Sequence, residues 1–158
     1  SHHRLVLDAD GLNLLAEEPV TRGNWILTPH PGEAARLLGT STSDIQHDRF
    51  AAVRALVARY QGTAVLKGAG TLVASEGSPA VGVCALGNPG MSSGGMGDIL
   101  TGVIAGLLAQ TGEAAIAARA GVWLHACAAD KAAEQGERGM LAMDLLPFVR
   151  QFANPPVT

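Results

Sequence analysis

Charge, cysteine and long apolar runs are all scarce in this sequence of 158 residues, and each shortage excludes a class of protein. Only 16% of the residues are charged whereas 47% are hydrophobic, which excludes a disordered chain. Two cysteines, Cys84 and Cys127, are too few for a disulfide framework, so we expect small core residues of a reduced, cytoplasmic protein. The net charge of −3, without a Lys/Arg cluster, predicts no nucleic-acid partner. The longest uncharged apolar run, residues 99–109, is too short to cross a membrane.

Glycine is the residue that the sequence has in excess, with 20 among 158 residues. The glycines follow no collagen period, so they indicate tight turns and close backbone approaches. Between them, short apolar runs alternate with helical patterns, which predicts an α/β fold with a mainly parallel sheet. The predicted strands are residues 4–7, 25–27, 63–66, 71–74 and 81–86. The predicted helices are residues 12–17, 31–38, 43–61 (begun by a capping box of Ser43 and Gln46), 98–109, 113–135 and a last one from about Asp144.

Four polar, glycine-rich segments follow directly on predicted strands, namely residues 8–13, 28–33, 67–70 and 87–98. In a parallel sheet, the segments that leave the carboxyl ends of the strands gather at one edge, where open α/β proteins bind their ligands. Polar turns also occur at that edge for purely structural reasons. The richness of these four segments in Gly, Pro, Asp, His and Asn nevertheless favours a binding site there.

The segment 87–98 leads into an apolar helix and predicts an anion site. Around Gly94, Gly95 and Met96, backbone N–H groups can point at a common centre without side-chain clashes. The helix N-terminus adds about half a positive charge there, so the segment suits a phosphate. Asp98, in the first turn of that helix, could accept a proton from a hydroxyl that attacks the phosphorus, or it could be only the N-cap.

Other candidate side chains have weaker patterns. The prolines on both sides of His30 hold its imidazole in a fixed direction, which makes it either a site residue or a surface residue. Asp8 and Asp10 lie at a strand end, where one could face the crevice and touch Mg²⁺ or water, or both could only cap the next helix. His125, in an Ala-rich helix, is expected to be a satisfied core histidine. Residues 90–94 match the G-x-S-x-G nucleophile elbow, but no strand comes immediately before them, so a hydrolase is not favoured.

Four motifs in this order carry a resemblance to a known family: LDADGLN at 7–13, TPHPGE at 28–33, LKGAGT at 66–71 and the glycine-rich run at 90–98. From Arg4 to about Asn154 the sequence resembles the ADP-dependent NAD(P)H-hydrate dehydratases, whose domain is ribokinase-like. The resemblance implies a three-layer α/β/α fold of which residues 1–158 are the C-terminal part. It also implies that the N-terminal part of the domain, and any NAD(P)H-hydrate epimerase domain fused to or paired with it, are missing here.

The resemblance further implies an activity and a set of roles. The family restores NADH or NADPH from the (S)-hydrate by phosphorylating its C6 hydroxyl with ADP and eliminating phosphate. By position, Asp98 matches the general base, and His30, Asp98 and, less closely, Asn13 match hydrate contacts. Mg²⁺ is expected to bridge the phosphates, with no protein metal ligand predicted. The implied adenine-nucleotide contacts are Lys67, Gly68, Ala69, Gly70, Thr71 and Gly97.

Two further expectations concern the state of the chain. Ser1, His2 and His3 come directly before an apolar run, which indicates a cut start, and the first strand would then have an unpaired edge that invites a homo-oligomer. Two alternatives to the dehydratase remain open. The chain could be a ribokinase-like kinase of a small alcohol, or a fragment that binds nucleotide without turnover.

Overall fold

A computed structural model describes residues 3–154 of the chain; the expectation drawn from Ser1 and His2 lies outside this range. Within it, five strands form one sheet in the order β1-β2-β3-β4-β5. The strands are β1 (Leu5–Leu7), β2 (Trp25–Leu27), β3 (Thr63–Leu66), β4 (Thr71–Ser75) and β5 (Gly82–Cys84).

The sheet is mixed, but four of its five described strands run in one direction. β1 pairs with β2 and β2 with β3 in parallel, whereas β4 pairs antiparallel with both β3 and β5. β4 is reversed because only the short turn at residues 67–70 separates it from β3, and a parallel neighbour needs a crossover of a dozen or more residues. The carboxyl ends of β1, β2, β3 and β5 therefore lie at the same edge.

Seven helices surround the sheet in the described range. They are α1 (Asp10–Glu17), α2 (Pro31–Leu38), α3 (Thr42–His47), α4 (Arg49–Tyr60), α5 (Met96–Thr111), α6 (Ala114–Ala133) and α7 (Leu146–Ala153). Single turns of 3₁₀ helix occur at Pro89–Ser92 and Ala142–Leu145.

The helices form two layers because alternate side chains of each strand point to opposite faces. On one face, Leu27, Leu66 and Leu72 join a core with buried residues of α1 to α4. On the other face, Ile26 and Val65 join a core with α5 and α6. This three-layer arrangement confirms the predicted α/β/α fold with a mainly parallel sheet.

Close packing of α5 against α6 fixes the position of the α5 N-terminus. A Cβ atom on Gly121 of α6 would lie 2.6 Å from Cγ1 of Ile104, so the two helices approach through the missing side chain. A third apolar cluster, with Met96 of α5 and Ala128 and Ala129 of α6, lies about two turns away on the same pair of helices. These contacts hold the first turn of α5 in place on the side of α6.

Several boundaries and one capping box differ from the sequence-based expectations. The single helix expected over 43–61 is two helices, because the carboxylate of Asp48 accepts the Ala51 N–H and starts a new one. The capping box of Ser43 and Gln46 is wrong; Ser41 and Asp44 form it instead. The last strand is shorter than predicted, and α5 begins two residues before Asp98.

Candidate functional site

The four polar segments do meet at one edge of the sheet. They follow β1, β2, β3 and β5, whose carboxyl ends lie at the same edge of the sheet. Three helices begin at this edge, α1, α2 and α5, and the N-termini of α2 and α5 differ in how their backbone N–H groups are used. None of the helices in the described range is both long and apolar enough to span a membrane.

The N-terminus of α5 has no capping side chain. Its N-cap is Gly95, whose φ of 86° lies in the left-handed region that glycine adopts without strain. The first helical hydrogen bond runs from the Ile99 N–H to the Gly95 carbonyl at 3.1 Å. The N–H groups of the first turn, from Met96 to Asp98, therefore remain for a ligand or solvent. A Cβ on Gly94 would meet nothing within 4 Å, which leaves the approach to this turn open.

Asp98 is the third residue of α5 and carries an exposed carboxylate. Among the described residues, this carboxylate has no hydrogen bond or ion pair, so it is free to interact with a ligand at the uncapped turn. The alternative that Asp98 is only an N-cap is wrong, because Gly95 occupies that position and no side chain caps the helix.

Lys67 connects the predicted nucleotide loop with α5. Its Nζ donates to Oδ1 of Asp8 at 2.8 Å and lies 3.9 Å from Oε2 of Glu33. The hydroxyl of Thr101, one turn after Asp98, donates to the other Asp8 oxygen at 2.8 Å. A Cβ on Gly97 would lie 3.3 Å from Lys67 Nζ, so Lys67 and Gly97, both implied nucleotide contacts, are indeed neighbours.

Asp8 is held in its ionised form by these partners. Burial by itself raises the pKa of the Asp8 carboxyl, but the hydrogen bonds from Lys67, Thr101 and Thr28, together with the charge of Lys67, outweigh it. The net result is a pKa below the ordinary value of 3.8. Of the two interpretations given to Asp8 from the sequence, the structure supports the one in which it faces the crevice.

The predicted nucleotide loop, Lys67, Gly68, Ala69 and Gly70, is the turn between β3 and β4. Its backbone is held by a side chain that sequence reasoning missed. Nη2 of Arg49, on α4, donates to the carbonyls of Leu66, Lys67 and Gly70 at 3.2–3.4 Å. Gly68, with φ of 136°, lies against this guanidinium, because a Cβ there would be 2.5 Å from Nη1. Nothing in the sequence near position 49 indicates this function.

Thr71 closes the same loop as the first residue of β4. Its hydroxyl donates to the Gly68 carbonyl at 3.0 Å, while Ala69 at the tip is exposed. The loop is therefore pinned at both ends with its tip accessible to a ligand.

His30 and Glu33 form a reciprocal cap at the start of α2. Nδ1 of His30 accepts the N–H groups of Gly32 and Glu33 at 3.0 and 3.3 Å, and Oε2 of Glu33 accepts the His30 N–H at 2.8 Å. The His30 side chain is still 54% exposed, with Nε2 3.6 Å from Oε1 of the buried Glu33. The imidazole thus has a fixed orientation, which the reciprocal cap provides, and an exposed edge.

Asn13 forms its described hydrogen bonds with Arg36 and Asp10, not with the residues described above. Its Oδ1 accepts a hydrogen bond from the Arg36 guanidinium, and its amide lies 3.5 Å from Oδ1 of Asp10. The described hydrogen bonds of Asn13 thus join α1 to α2, and none of them reaches Lys67 or Asp98. Asp10 belongs to the first turn of α1.

The segment before α5 is anchored by Asp130 of α6, a second residue that sequence reasoning missed. Its two oxygens accept the Gly87 N–H at 3.0 Å and the Asn88 amide at 2.9 Å. Oδ1 of Asn88 in turn accepts the Gly90 N–H at 3.1 Å. The bend that leads from β5 to the glycine cradle is therefore fixed from the α6 side.

His125 is buried, as expected, but it is not fully satisfied. It is 5% exposed, and its Nε2 has no hydrogen-bond partner among the described residues. Burial lowers the pKa of His125 from 6.5 to about 4, and the charge of Lys67 lowers it too, whereas a hydrogen bond with the Met96 backbone opposes this. His125 is therefore neutral near pH 7 and lies close to the first turn of α5.

The described residues contain no group of three or more His, Cys, Asp or Glu side chains that could hold a metal ion. Both cysteines are free thiols. The chemical resources of this edge are thus an uncapped helix turn, a free carboxylate, a pinned glycine loop and an ammonium group paired with Asp8.

Known proteins share this chain's sequence along most of its length. The sequence model of the NAD(P)H-hydrate dehydratases matches residues 1–150. The bifunctional NAD(P)H-hydrate repair enzyme of Coxiella burnetii is 61% identical over 95% of this chain and 31% of its own length. The ADP-dependent (S)-NAD(P)H-hydrate dehydratase of Neisseria meningitidis is 47% identical over 95% of this chain and 53% of its own length. The chain thus spans about a third of the length of the first relative and about half of the second.

The fold is shared as well. The ADP/ATP-dependent NAD(P)H-hydrate dehydratase from Bacillus subtilis, crystallised with ATP and Mg²⁺, superposes with a TM-score of 0.83 at 29% identity, over 94% of this chain and 54% of that one. This likeness confirms the ribokinase-like fold. A family model over nearly the whole sequence, close relatives and a matching structure lead to one conclusion: the chain belongs to the NAD(P)H-hydrate dehydratase family.

Proposed function

We propose that the protein containing this chain converts (S)-NAD(P)H hydrate back to NAD(P)H with ADP as the phosphoryl donor. The observation that carries the proposal is the first turn of α5, where uncapped N–H groups and the free carboxylate of Asp98 lie together. An anion cradle beside an unpaired base is the pair of groups that phosphorylation of a hydroxyl requires. The Neisseria relative, named as an ADP-dependent (S)-NAD(P)H-hydrate dehydratase, supports the same reaction.

The nucleotide is proposed to lie between the β3–β4 turn and α5. The pinned loop of Lys67, Gly68, Ala69, Gly70 and Thr71 would receive the adenosine side, and Gly97 would allow close approach at the helix. The terminal phosphate would then lie at Gly94, Gly95 and Met96, where the helix dipole and the N–H groups favour negative charge.

In the first half-reaction, Asp98 accepts the proton of the C6 hydroxyl as the hydroxyl oxygen bonds to the terminal phosphorus of ADP. The bond from that phosphorus to the bridging oxygen breaks, so AMP leaves with the bond's electron pair. The N–H groups of the α5 turn stabilise the charge that develops on the phosphoryl oxygens. Mg²⁺ would neutralise phosphate charge when it binds with the nucleotide. Because the described residues contain no cluster of acidic ligands, the oxygen ligands of the ion would come mainly from the phosphates.

In the second half-reaction, the C6–O bond breaks, phosphate leaves with the electron pair of that bond, and the adjacent ring carbon loses a proton to the departing phosphate to give the double bond of NAD(P)H. The fixed, exposed imidazole of His30 would contact the hydrate from the α2 side. Asn13 would form a more distant wall of the same crevice, oriented by Arg36.

The setting of the chain is also part of the proposal. Because the relatives are two to three times as long as this chain, we propose that residues 1–158 act as the C-terminal part of a larger dehydratase domain. The bifunctional names of several relatives support fusion to, or pairing with, an epimerase. The two free thiols fit a reducing compartment such as the cytoplasm, and the edge of β1 fits self-association.

The proposal is tested by NADH recovery from its hydrate, followed by absorbance with ADP, with ATP and without nucleotide. We expect recovery that depends on ADP and releases AMP and phosphate in equal amounts. The complete protein and the 158-residue chain are assayed side by side. Activity in the former alone would show that the 158-residue chain does not turn over by itself.

The test variant is Asp98→Asn, which removes the base. Its control is Glu17→Gln, which removes an equal charge from the exposed end of α1. A stable phosphorylated product without NADH would identify a kinase instead. NADH recovery at the same rate with and without nucleotide would refute the proposal.

A further inference from the structure

Asp8 and Thr101 have no role in the chemistry proposed above, yet their side chains are joined through one carboxylate. Oδ1 of Asp8 accepts from Lys67 Nζ and Oδ2 accepts from the Thr101 hydroxyl, each at 2.8 Å. The three residues, which we name the Asp8 clasp, come from the end of β1, the β3–β4 turn and the second turn of α5. They lie 59 and 93 positions apart in the sequence from Asp8, so the fold alone brings them together.

The clasp is not an ordinary surface ion pair. The side chains of Lys67 and Asp8 are only 19% and 11% exposed, and the buried Glu33 lies 3.9 Å from the same ammonium. The pKa of Asp8 lies below its ordinary value in spite of burial, because Lys67, Thr101 and Thr28 stabilise the charged form. Its carboxylate is thus ionised and occupied on both oxygens.

The position of the clasp links it to the reacting groups. A Cβ on Gly97 would lie 3.3 Å from Lys67 Nζ and 3.7 Å from Oδ2 of Asp8, so the clasp directly underlies the first turn of α5. Thr101 follows Asp98 by three residues, which places both on neighbouring turns of one helix face. A bond to Thr101 therefore restrains the rotation of the turn that carries Asp98.

We propose that Asp8 is a positioning residue that acts through Lys67 and Thr101 to hold the nucleotide loop against the first turn of α5. This inference rests on the function proposed above. Asp8 itself is proposed to touch neither substrate. Its charge also keeps the Lys67 ammonium at the loop, so that the ammonium does not move toward the phosphates and draw them away from Asp98.

This electrostatic role separates positioning from simple structural support. With Asp8→Asn, the carboxylate that faces Lys67 becomes neutral, so the ammonium is freer to pair with phosphate. We therefore expect ADP affinity to rise about two- to fivefold while kcat falls about tenfold or more. A residue that only stabilises the fold would weaken ADP binding and turnover together when it is lost.

The experiment uses the complete protein that contains this chain. ADP affinity is measured by calorimetry, and kcat and KM by NADH recovery, for Asp8→Asn, Lys67→Met and the double variant. If Asp8 acts through Lys67, the double variant has the same kcat as Lys67→Met within about twofold. Glu17→Gln, which removes one negative charge at the exposed end of α1, is expected to leave ADP affinity and kcat unchanged.

A matched pair of variants tests the other arm of the clasp. Thr101→Val removes the hydroxyl without changing charge, so kcat is expected to fall about three- to tenfold at unchanged ADP affinity. Thr101→Ser keeps the hydroxyl and is expected to restore kcat. Should Asp8→Asn fail to fold, this pair decides: rescue by serine supports the clasp, and equal kcat in Val and Ser overturns it.

The outcomes also separate this inference from the proposed function. Parallel losses of ADP affinity and kcat in Asp8→Asn, or additive losses in the double variant, overturn the clasp while NADH recovery by the unsubstituted protein still stands. If the unsubstituted protein recovers no NADH, the proposed function fails. The calorimetric measurement of ADP affinity then still tests the inference, because tighter binding by Asp8→Asn supports the clasp and unchanged or weaker binding overturns it.

Discussion

Acidification is expected to destabilise this protein between pH 6.5 and about 4 because of a single histidine. His125 is 5% exposed, and burial lowers its pKa from 6.5 to about 4. Between these two values the unfolded chain binds a proton that the folded chain does not, so the free energy of unfolding decreases as the pH falls. Above pH 6.5 the histidine is neutral in both states and contributes no pH dependence.

The size of the effect follows from the shift. At roughly 1.4 kcal/mol for each pH unit between the two pKa values, full protonation costs about 3 kcal/mol, of which about 2 to 3 kcal/mol is lost between pH 7 and pH 4.5. Asp8 and Asp44, whose pKa values are lowered from 3.8, lose their contributions only at more acidic pH. The window above pH 4.5 therefore reports mainly on His125.

The assay is urea unfolding at half-unit steps from pH 7.5 to 4.5, for the unsubstituted protein and two variants. His125→Met removes the titrating group from the core and is expected to abolish most of the slope, whatever it does to stability at pH 7. His47→Gln, at the exposed end of α3, is the control and is expected to keep the slope. A slope that survives in His125→Met, or a loss below about 1 kcal/mol in the unsubstituted protein, would refute the assignment.

Three further predictions concern the proposed site. Asp98→Asn should lower kcat by about 10²- to 10⁴-fold and leave ADP binding equal or tighter. The melting temperature should not change, because the residue is not the N-cap of α5. Turnover within twofold of normal in a folded variant refutes the role of Asp98 as the base. Gly97→Val should weaken ADP binding measured by calorimetry, since its Cβ would lie 3.3 Å from Lys67 Nζ, whereas Gly102→Val, where a Cβ meets nothing within 4 Å, is the control. Arg49→Lys should loosen the loop and weaken ADP binding about threefold to tenfold, because one ammonium cannot match a guanidinium that spans three carbonyls; equal affinity would contradict this.

Most strands and helices of this fold could be predicted because their signals are local. The apolar runs at β1, β2 and β3 and the Pro31 start and Gly39 end of α2 need no tertiary information. The break before α4 was missed because the helical spacing of apolar residues continues across it. Its cause is the backbone of Asp48, which leaves the helical region so that its carboxylate can cap a second helix.

The site could be predicted only where glycines in the sequence indicate an unusual backbone conformation or a close approach. The glycines before α5 and in the β3–β4 turn indicate close approaches of the backbone. Both segments lie at the edge of the sheet where the candidate site is found. Arg49 and Asp130 could not be found, because each acts on a loop that is distant in sequence. Thr101 had a signal that could have been used, since it is the one hydroxyl within the apolar run 99–109.

Two of the helices that begin at the site edge, α2 and α5, use their N-termini differently. At α2, the ring of His30 and the carboxylate of Glu33 consume the free backbone donors in a reciprocal cap, so that end is a fixed wall and cannot receive an anion. At α5, a glycine takes the N-cap position and leaves the first-turn N–H groups unbonded to any side chain. A phosphate would therefore supply the cap that the α5 sequence omits, with the carboxylate of Asp98 beside it as the base.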